Sequence, residues 1–139
     1  EKDQGAIYRI IFIHVPVAFI SLLGPFAACV FSLMYLAGKK LQWDRAASSM
    51  IEVSWVFATV NLATGMIWAR IIWGIWWTWD PRLTSMFTLW LLFGGYLMMR
   101  ASIQDTNQRA RLSAVLNIFA AVNVVIVYKS IEWWRTQHP

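Results

Sequence analysis

Long apolar runs restrict this chain to one class of fold. Four runs, separated by short charged turns, approach or exceed the ~20 apolar residues that a helix needs to cross a bilayer. They cover about residues 10–36, 46–69, 84–99 and 112–128. A soluble domain would need more polar surface, whereas here 59% of the residues are hydrophobic and 14% are charged. We therefore predict an all-α integral membrane protein, a single domain over residues 1–139 with a bundle of four transmembrane helices.

Because the chain crosses the membrane once with each of four predicted spans, the polar segments between them lie alternately on the two membrane faces. One face receives the tryptophan-rich segment 73–85, together with His14 and His138, and the other receives the turns at 38–45 and 100–111. Lysine and arginine divide equally between the faces, so the positive-inside rule does not decide the orientation. The net charge of +5 suits contact with anionic membrane lipid. Because the basic residues are scattered, nucleic acid is not an expected partner.

The tryptophan-rich segment is the most unusual local feature. It contains Trp73, Trp76, Trp77 and Trp79, followed by Asp80-Pro81-Arg82. Indole rings settle at membrane interfaces or against planar aromatic ligands, so the cluster is either an aromatic belt or the wall of a binding site.

Asp80 also has two interpretations. It fits a helix cap ahead of Pro81, or a charge that holds Arg82 or meets a partner protein.

Polar and small residues inside the spans predict helix contacts. Asn61, Thr64, Asn117 and Asn123 are expected to bond between helices rather than to a ligand, and the pair Gly94-Gly95 is expected to permit close helix approach. Pro16 should loosen the turn that carries His14. The tail after Lys129 alternates aromatic and charged residues, as an interfacial segment would.

The tryptophan-rich segment resembles a known signature. The pattern Trp-Gly-x-Trp-Trp-x-Trp-Asp-x-Arg-Leu-Thr-Ser is similar to that of the haem-handling proteins of cytochrome c maturation, most closely the haem exporter protein C (CcmC) branch. The likeness extends from about Gly5 to His138 and includes His14-Val15-Pro16 and Glu132-Trp133-Trp134. Pro81 stands where that family often has Ala. Members usually carry one more membrane helix at each end, so the resemblance implies that this chain is the central part of a six-helix fold, and we read it as a trimmed piece.

The resemblance implies a function in haem handling. It predicts b-type, non-covalent haem at the outer face of the membrane, presented to a periplasmic haem chaperone, with ATP-binding cassette transporter subunits of the maturation complex as further partners. The location would be the bacterial inner membrane with the site facing the periplasm, or the mitochondrial inner membrane. His14 and His138 fall at the positions of the family's two haem-ligating histidines.

The residues themselves are compatible with such a site. Both histidines of the chain lie on the face of the tryptophan-rich segment, and imidazole is a common axial ligand of haem iron. Trp73, Trp76, Trp77 and Trp79 could form the wall. The candidates for pairing the haem propionates are Arg82, which lies in the motif, and Arg70, Arg9 and Arg135.

Several alternatives stay open from the sequence. A haem lyase-type relative would attach haem to apocytochrome, a b-type electron-transfer subunit would place paired histidines within facing spans, and a structural or transporter subunit would use its tryptophans only as anchors. The single cysteine, Cys29, excludes an internal disulfide and a two-cysteine haem attachment motif. The sequence contains no nucleotide-binding loop, zinc-protease motif or nucleophile triad, so we predict a binding and transfer protein, not an enzyme.

Overall fold

The computed structural model describes the backbone of residues 2–137 and the side chains of residues 9, 12–80, 83–126, 129 and 132. Four α-helices account for nearly all of this length: α1 (Lys2–Gly38), α2 (Leu41–Trp73), α3 (Pro81–Ser102) and α4 (Thr106–Gln137). The prediction of an all-α fold with four helices is confirmed. The order of the helices along the chain also matches the four apolar runs.

Among the described residues, three stretches are long and apolar enough to cross a membrane: Phe12–Gly38, Leu41–Trp73 and Thr106–Ile126. The described part of α3, which was expected to hold the third span, is not among them. Threonines, glycines and the polar-tipped rings of Trp90 and Tyr96 dilute its apolar residues. The chain is therefore a multi-pass membrane protein, and the span boundaries remain a prediction.

The helices extend beyond the predicted spans. Helix α1 is continuous through Pro16 and Pro25, because a proline inside a helix removes one hydrogen bond without requiring the helix to end. Helix α4 is continuous to Gln137. The tail after Lys129 is thus an extension of α4 rather than a separate segment along the interface.

Small residues set the closest helix approach. A Cβ atom at Gly24 of α1 would overlap Ser54 Oγ of α2, so these helices pack with backbones close together, as small residues permit in membranes. A Cβ at Gly94 would lie 3.4 Å from Trp55 Nε1, whereas none of the described side chains lies within 4 Å of a Cβ at Gly95. The predicted close contact is therefore made by Gly94 and not by Gly95.

A buried polar network joins the helices at the end of the bundle remote from the tryptophan-rich segment. Arg100 of α3 donates two hydrogen bonds to the Asp44 carboxylate of α2, at 2.7 and 3.1 Å, and one to Ser113 Oγ of α4 at 3.1 Å. Asn117 Nδ2 donates to Ser32 Oγ of α1 at 3.0 Å. The prediction of interhelical bonding is confirmed for Asn117. Asn123 is half-buried and forms no side-chain hydrogen bond within the described residues.

Candidate functional site

The tryptophan-rich segment starts at a defined helix end. Helix α2 ends at Trp73, and Gly74 follows in the left-handed conformation with φ of 75°, which glycine adopts without a Cβ penalty. The Gly74 N–H donates to the Arg70 carbonyl at 3.0 Å, and Arg70 Nη1 donates to the Gly74 carbonyl at 3.0 Å. Two bonds therefore fix the direction in which the chain leaves α2.

The segment ends at an equally well-defined helix start. Asp80 is the N-cap of α3, its Oδ1 accepting from the Leu83 N–H at 3.0 Å, and Pro81 is the first helical residue. The Asp80 N–H donates to Thr78 Oγ1 at 3.2 Å. The capping interpretation of Asp80 is thus confirmed. The Arg82 side chain lies outside the described residues, so a contact between Asp80 and Arg82 remains a prediction.

Three of the four indoles face outward. The exposed fractions of Trp73, Trp76 and Trp79 are 51%, 55% and 72%. Trp77 is half-buried and contacts Trp79 edge-on with ring centroids 5.4 Å apart. Its Nε1 is buried without a hydrogen-bond partner in the described part of the chain. Trp77 is therefore the most buried of the four rings and contacts Trp79, while the other three are each exposed apolar aromatic side chains.

A series of rings continues from Trp77 into the bundle. Phe87 of α3 meets Trp77 edge-on at 5.7 Å and stacks on Trp90 at 6.2 Å, and Trp90 stacks on Trp55 of α2 at 5.8 Å. Trp90 Nε1 also donates to Thr59 Oγ1 of α2 at 2.8 Å. Sequence reasoning missed these supporting rings. The spacing of Phe87 and Trp90, three residues apart on one helix face, was the signal available.

His14 is held by two polar residues of α2. Its Nδ1 lies 2.8 Å from Thr64 Oγ1, and Asn61 Nδ2 donates to the His14 carbonyl at 3.3 Å. Both α2 residues bond between helices, as predicted for them. Their partner, however, is the candidate iron ligand itself, so a role in helix packing and a role in orienting the ligand coincide here.

His14 also lies close to the α3 end of the tryptophan-rich segment. A Cβ atom at Gly65 would lie 3.7 Å from His14 Cε1 and 3.0 Å from Leu83 Cδ2. Leu83 belongs to the motif and supplies the N–H that Asp80 caps. The structure thus brings His14 and the motif together over a single glycine.

The other predicted site residues divide into two groups. Arg70 is exposed and already bonded to the Gly74 carbonyl, and Arg9 is exposed. The predicted ligand His138 and the side chains of Arg82 and Arg135 lie outside the described residues, so their roles are still predictions.

The motif exposes three indoles, and the half-buried imidazole of His14 lies near Gly65, as does Leu83 of the motif. These features define a multi-pass helical membrane protein with a candidate aromatic site. A family model described as Heme exporter protein C (CcmC) matches residues 1–139, and the chain belongs to this family. It is a haem-handling family associated with cytochrome c biogenesis, not a known class of enzyme.

Individual relatives agree with this assignment. The chain is 36% identical to a heme exporter protein C of Bradyrhizobium diazoefficiens, over 99% of this chain and 52% of the relative. It is 35% identical to the heme exporter protein C of Escherichia coli K12, over 99% and 56%. A putative cytochrome c biosynthesis ccmC-like mitochondrial protein of Arabidopsis thaliana is 32% identical over 99% and 52%. The chain spans about half the length of these curated relatives.

Proposed function

We propose that this chain binds haem at the outer face of the membrane and presents it to a periplasmic haem chaperone during cytochrome c maturation. The observation that carries the proposal is the meeting of His14 and the tryptophan motif at Gly65. The imidazole therefore lies near one residue of a motif that exposes three indoles, and membership of the Heme exporter protein C family supports haem as the cargo. ATP-binding cassette transporter subunits of the maturation complex are the proposed further partners.

The described residues fit the chemistry of haem. Haem is a flat apolar disc with an iron at its centre and two carboxylates on one edge. Trp73, Trp76 and Trp79 offer an exposed apolar wall, and imidazole binds haem iron. The buried Nε1 of Trp77, unpaired within the described part of the chain, is a donor that could meet a polar group of the cargo. One cysteine in the chain suits non-covalent binding.

His138 is the proposed second axial ligand. It is the residue after Gln137, the last residue of α4, and its own placement lies outside the described residues. For the propionates we favour Arg82, because Arg70 already donates to the Gly74 carbonyl. Arg9 and Arg135 are the remaining candidates.

The proposed location is the bacterial inner membrane, or the mitochondrial inner membrane for an organellar relative. The tryptophan-rich face would point to the periplasm or its organellar equivalent. A haem site exposed at that face suits transfer to a soluble chaperone, because the exposed indoles are accessible from the water side of the interface.

A visible spectrum tests the proposal. The purified chain in detergent, titrated with haem, should develop a Soret band that His14→Gly alters, and added imidazole should restore the parent spectrum by entering the gap. Gly95→Ala, at a position with open space around it, is the matched control and should leave the spectrum unchanged. If the parent forms no Soret band, the chain is a structural or transporter subunit whose tryptophans are anchors. If His14→Gly binds haem with an unaltered spectrum, His14 is not a ligand.

A further inference from the structure

The hydroxyl group of Thr64 has three close neighbours. Thr64 Oγ1 lies 2.8 Å from His14 Nδ1, 2.9 Å from the Val60 carbonyl oxygen and 3.0 Å from the Asn61 carbonyl oxygen. A threonine hydroxyl has one proton to donate and two lone pairs to accept with. The two carbonyl oxygens can only accept. The hydroxyl proton is therefore directed to the backbone of α2.

The direction of the Thr64 hydroxyl proton determines which ring nitrogen of His14 is protonated. Once the Thr64 hydroxyl donates to the backbone, its oxygen can only accept from His14, so Nδ1 must carry the ring proton. In a neutral imidazole the other nitrogen, Nε2, then has a free lone pair. The reverse arrangement would leave the Thr64 oxygen facing two carbonyl oxygens at 2.9 and 3.0 Å without a proton between them.

We propose that Thr64 is a positioning residue that holds His14 as the Nδ1-protonated tautomer and keeps Nε2 ready to bind iron. Ligating histidines commonly donate their second ring N–H to a fixed acceptor, which sets the tautomer and ring orientation. Here the acceptor is a hydroxyl polarised by its own bond to the backbone, so the two hydrogen bonds reinforce one another. The part of the inference that concerns iron rests on the proposed function, whereas the tautomer does not.

Two neighbours of Thr64 restrict His14 further. Asn61, which is buried, donates to the His14 carbonyl at 3.3 Å and so holds the backbone of α1 at this level of α2. Gly65 lies against the ring, since a Cβ there would be in ordinary van der Waals contact with Cε1 at 3.7 Å. One turn of α2 therefore approaches His14 at its backbone carbonyl, at Nδ1 and at Cε1.

The tautomer can be measured before any haem is added. When the chain is labelled with ¹⁵N-histidine, the protonated and unprotonated imidazole nitrogens give separate NMR signals at alkaline pH. The signals that disappear in His14→Gly belong to His14. We expect the parent to carry the proton on Nδ1. A parent His14 protonated on Nε2 would overturn the inference while leaving haem binding by His14 untouched.

Variants of Thr64 provide the second measurement. Thr64→Val keeps the shape and removes the hydroxyl, so His14 should lose its preference for the Nδ1-protonated form, and the haem dissociation constant should rise about 10- to 100-fold, as for other losses of a ligand-orienting partner. Thr64→Ser should restore both properties. The matched control is Thr59→Val, which removes a hydroxyl of the same helix that accepts from the Trp90 ring.

The outcomes separate the two proposals. If Thr64→Val changes the tautomer but no variant changes haem binding, the orientation of His14 is established and the proposed haem site fails. If Thr64→Val and Thr59→Val weaken haem equally with the His14 tautomer unchanged, Thr64 acts only in helix packing and the positioning role is wrong.

Discussion

His14 of α1 and Leu83 of α3 meet over one residue of α2, Gly65, which has no side chain to separate them. Leu83 is in turn tied to Asp80 by the cap of α3. A candidate ligand in α1 and the tryptophan motif between α2 and α3 therefore both lie against the same residue of α2. Substitutions at Gly65 should therefore affect both His14 and the tryptophan motif.

Enlarging Gly65 should weaken haem retention. In Gly65→Val a branched side chain would have to displace Leu83, whose Cδ2 is 3.0 Å from the position that a Cβ atom would take, and the His14 ring beside it. We expect a loss of haem affinity in a chain that still inserts into the membrane, measured by haem titration after purification in detergent. Gly95→Val is the control, since no atom of the described part of the chain lies within 4 Å of its Cβ position. Equal effects at both positions would show that Gly65 has no special relation to the site.

The exposed indoles and the supporting indole should behave differently on substitution. In Trp76→Ala/Trp79→Ala most of the surface wall is removed, so haem retention should fall. Thermal stability should fall less than in Trp77→Ala, because both rings are more than half exposed and only the edge contact of Trp79 with Trp77 is lost. Trp77→Ala should lower stability as well, because it removes edge contacts to Trp79 and Phe87, each worth about 0.5–1.5 kcal/mol beyond burial. Haem titration and thermal unfolding in detergent measure the two effects. Unchanged haem retention in the double variant would show that these indoles are anchors.

Replacing Asp80 with asparagine should preserve the N-cap of α3. Asparagine caps a helix about as well as aspartate, so Asp80→Asn should leave unfolding nearly unchanged, whereas Asp80→Ala should cost about 0.5–2 kcal/mol. Thermal unfolding of the two variants checks this. A loss of haem transfer in Asp80→Asn, at normal protein level, would show that the charge itself is used.

The Arg100–Asp44 pair should be sensitive to the loss of one partner only. The two side chains are 13% and 5% exposed, and removing one member of a buried pair typically costs about 3–5 kcal/mol because the other charge is left unpaired. Arg100→Met should therefore lower the unfolding temperature markedly, and Arg100→Met/Asp44→Leu should recover much of the loss. Lys129→Met, which breaks an exposed pair with Glu132 at 3.7 Å, is the control and should have little effect. A double variant no better than Arg100→Met would mean that the bond to Ser113 matters more than the charge on Asp44.

The sequence was most informative where a local rule applies. The apolar runs predicted four helices, and Asp80 followed by Pro81 predicted the start of α3, because capping depends on a few adjacent residues. The ends of the helices were harder to predict from the sequence. The charged and aromatic tail after Lys129 suggested an interfacial segment, but its residues also favour helix, and α4 continues to Gln137.

The parts of the site that the sequence did not reveal depend on contacts between helices. Gly65 has no local signature, and its importance comes only from the approach of His14 and Leu83. Thr64 was predicted to join helices, yet nothing in the sequence indicated that its partner would be His14 Nδ1. The stacking of Trp55 on Trp90 likewise requires the relative rotation of α2 and α3, which periodicity alone does not give.

The stacking of Trp55 on Trp90 gives the protein an intrinsic spectroscopic signal that depends on the relative position of α2 and α3. The two rings belong to different helices, and their centroids are 5.8 Å apart at an interplanar angle of 24°. Indole transitions at this distance couple to one another, and the resulting circular dichroism in the ultraviolet depends steeply on separation and angle. Any movement of α2 against α3 that accompanies loading or release of the proposed haem cargo would therefore alter this signal without a label.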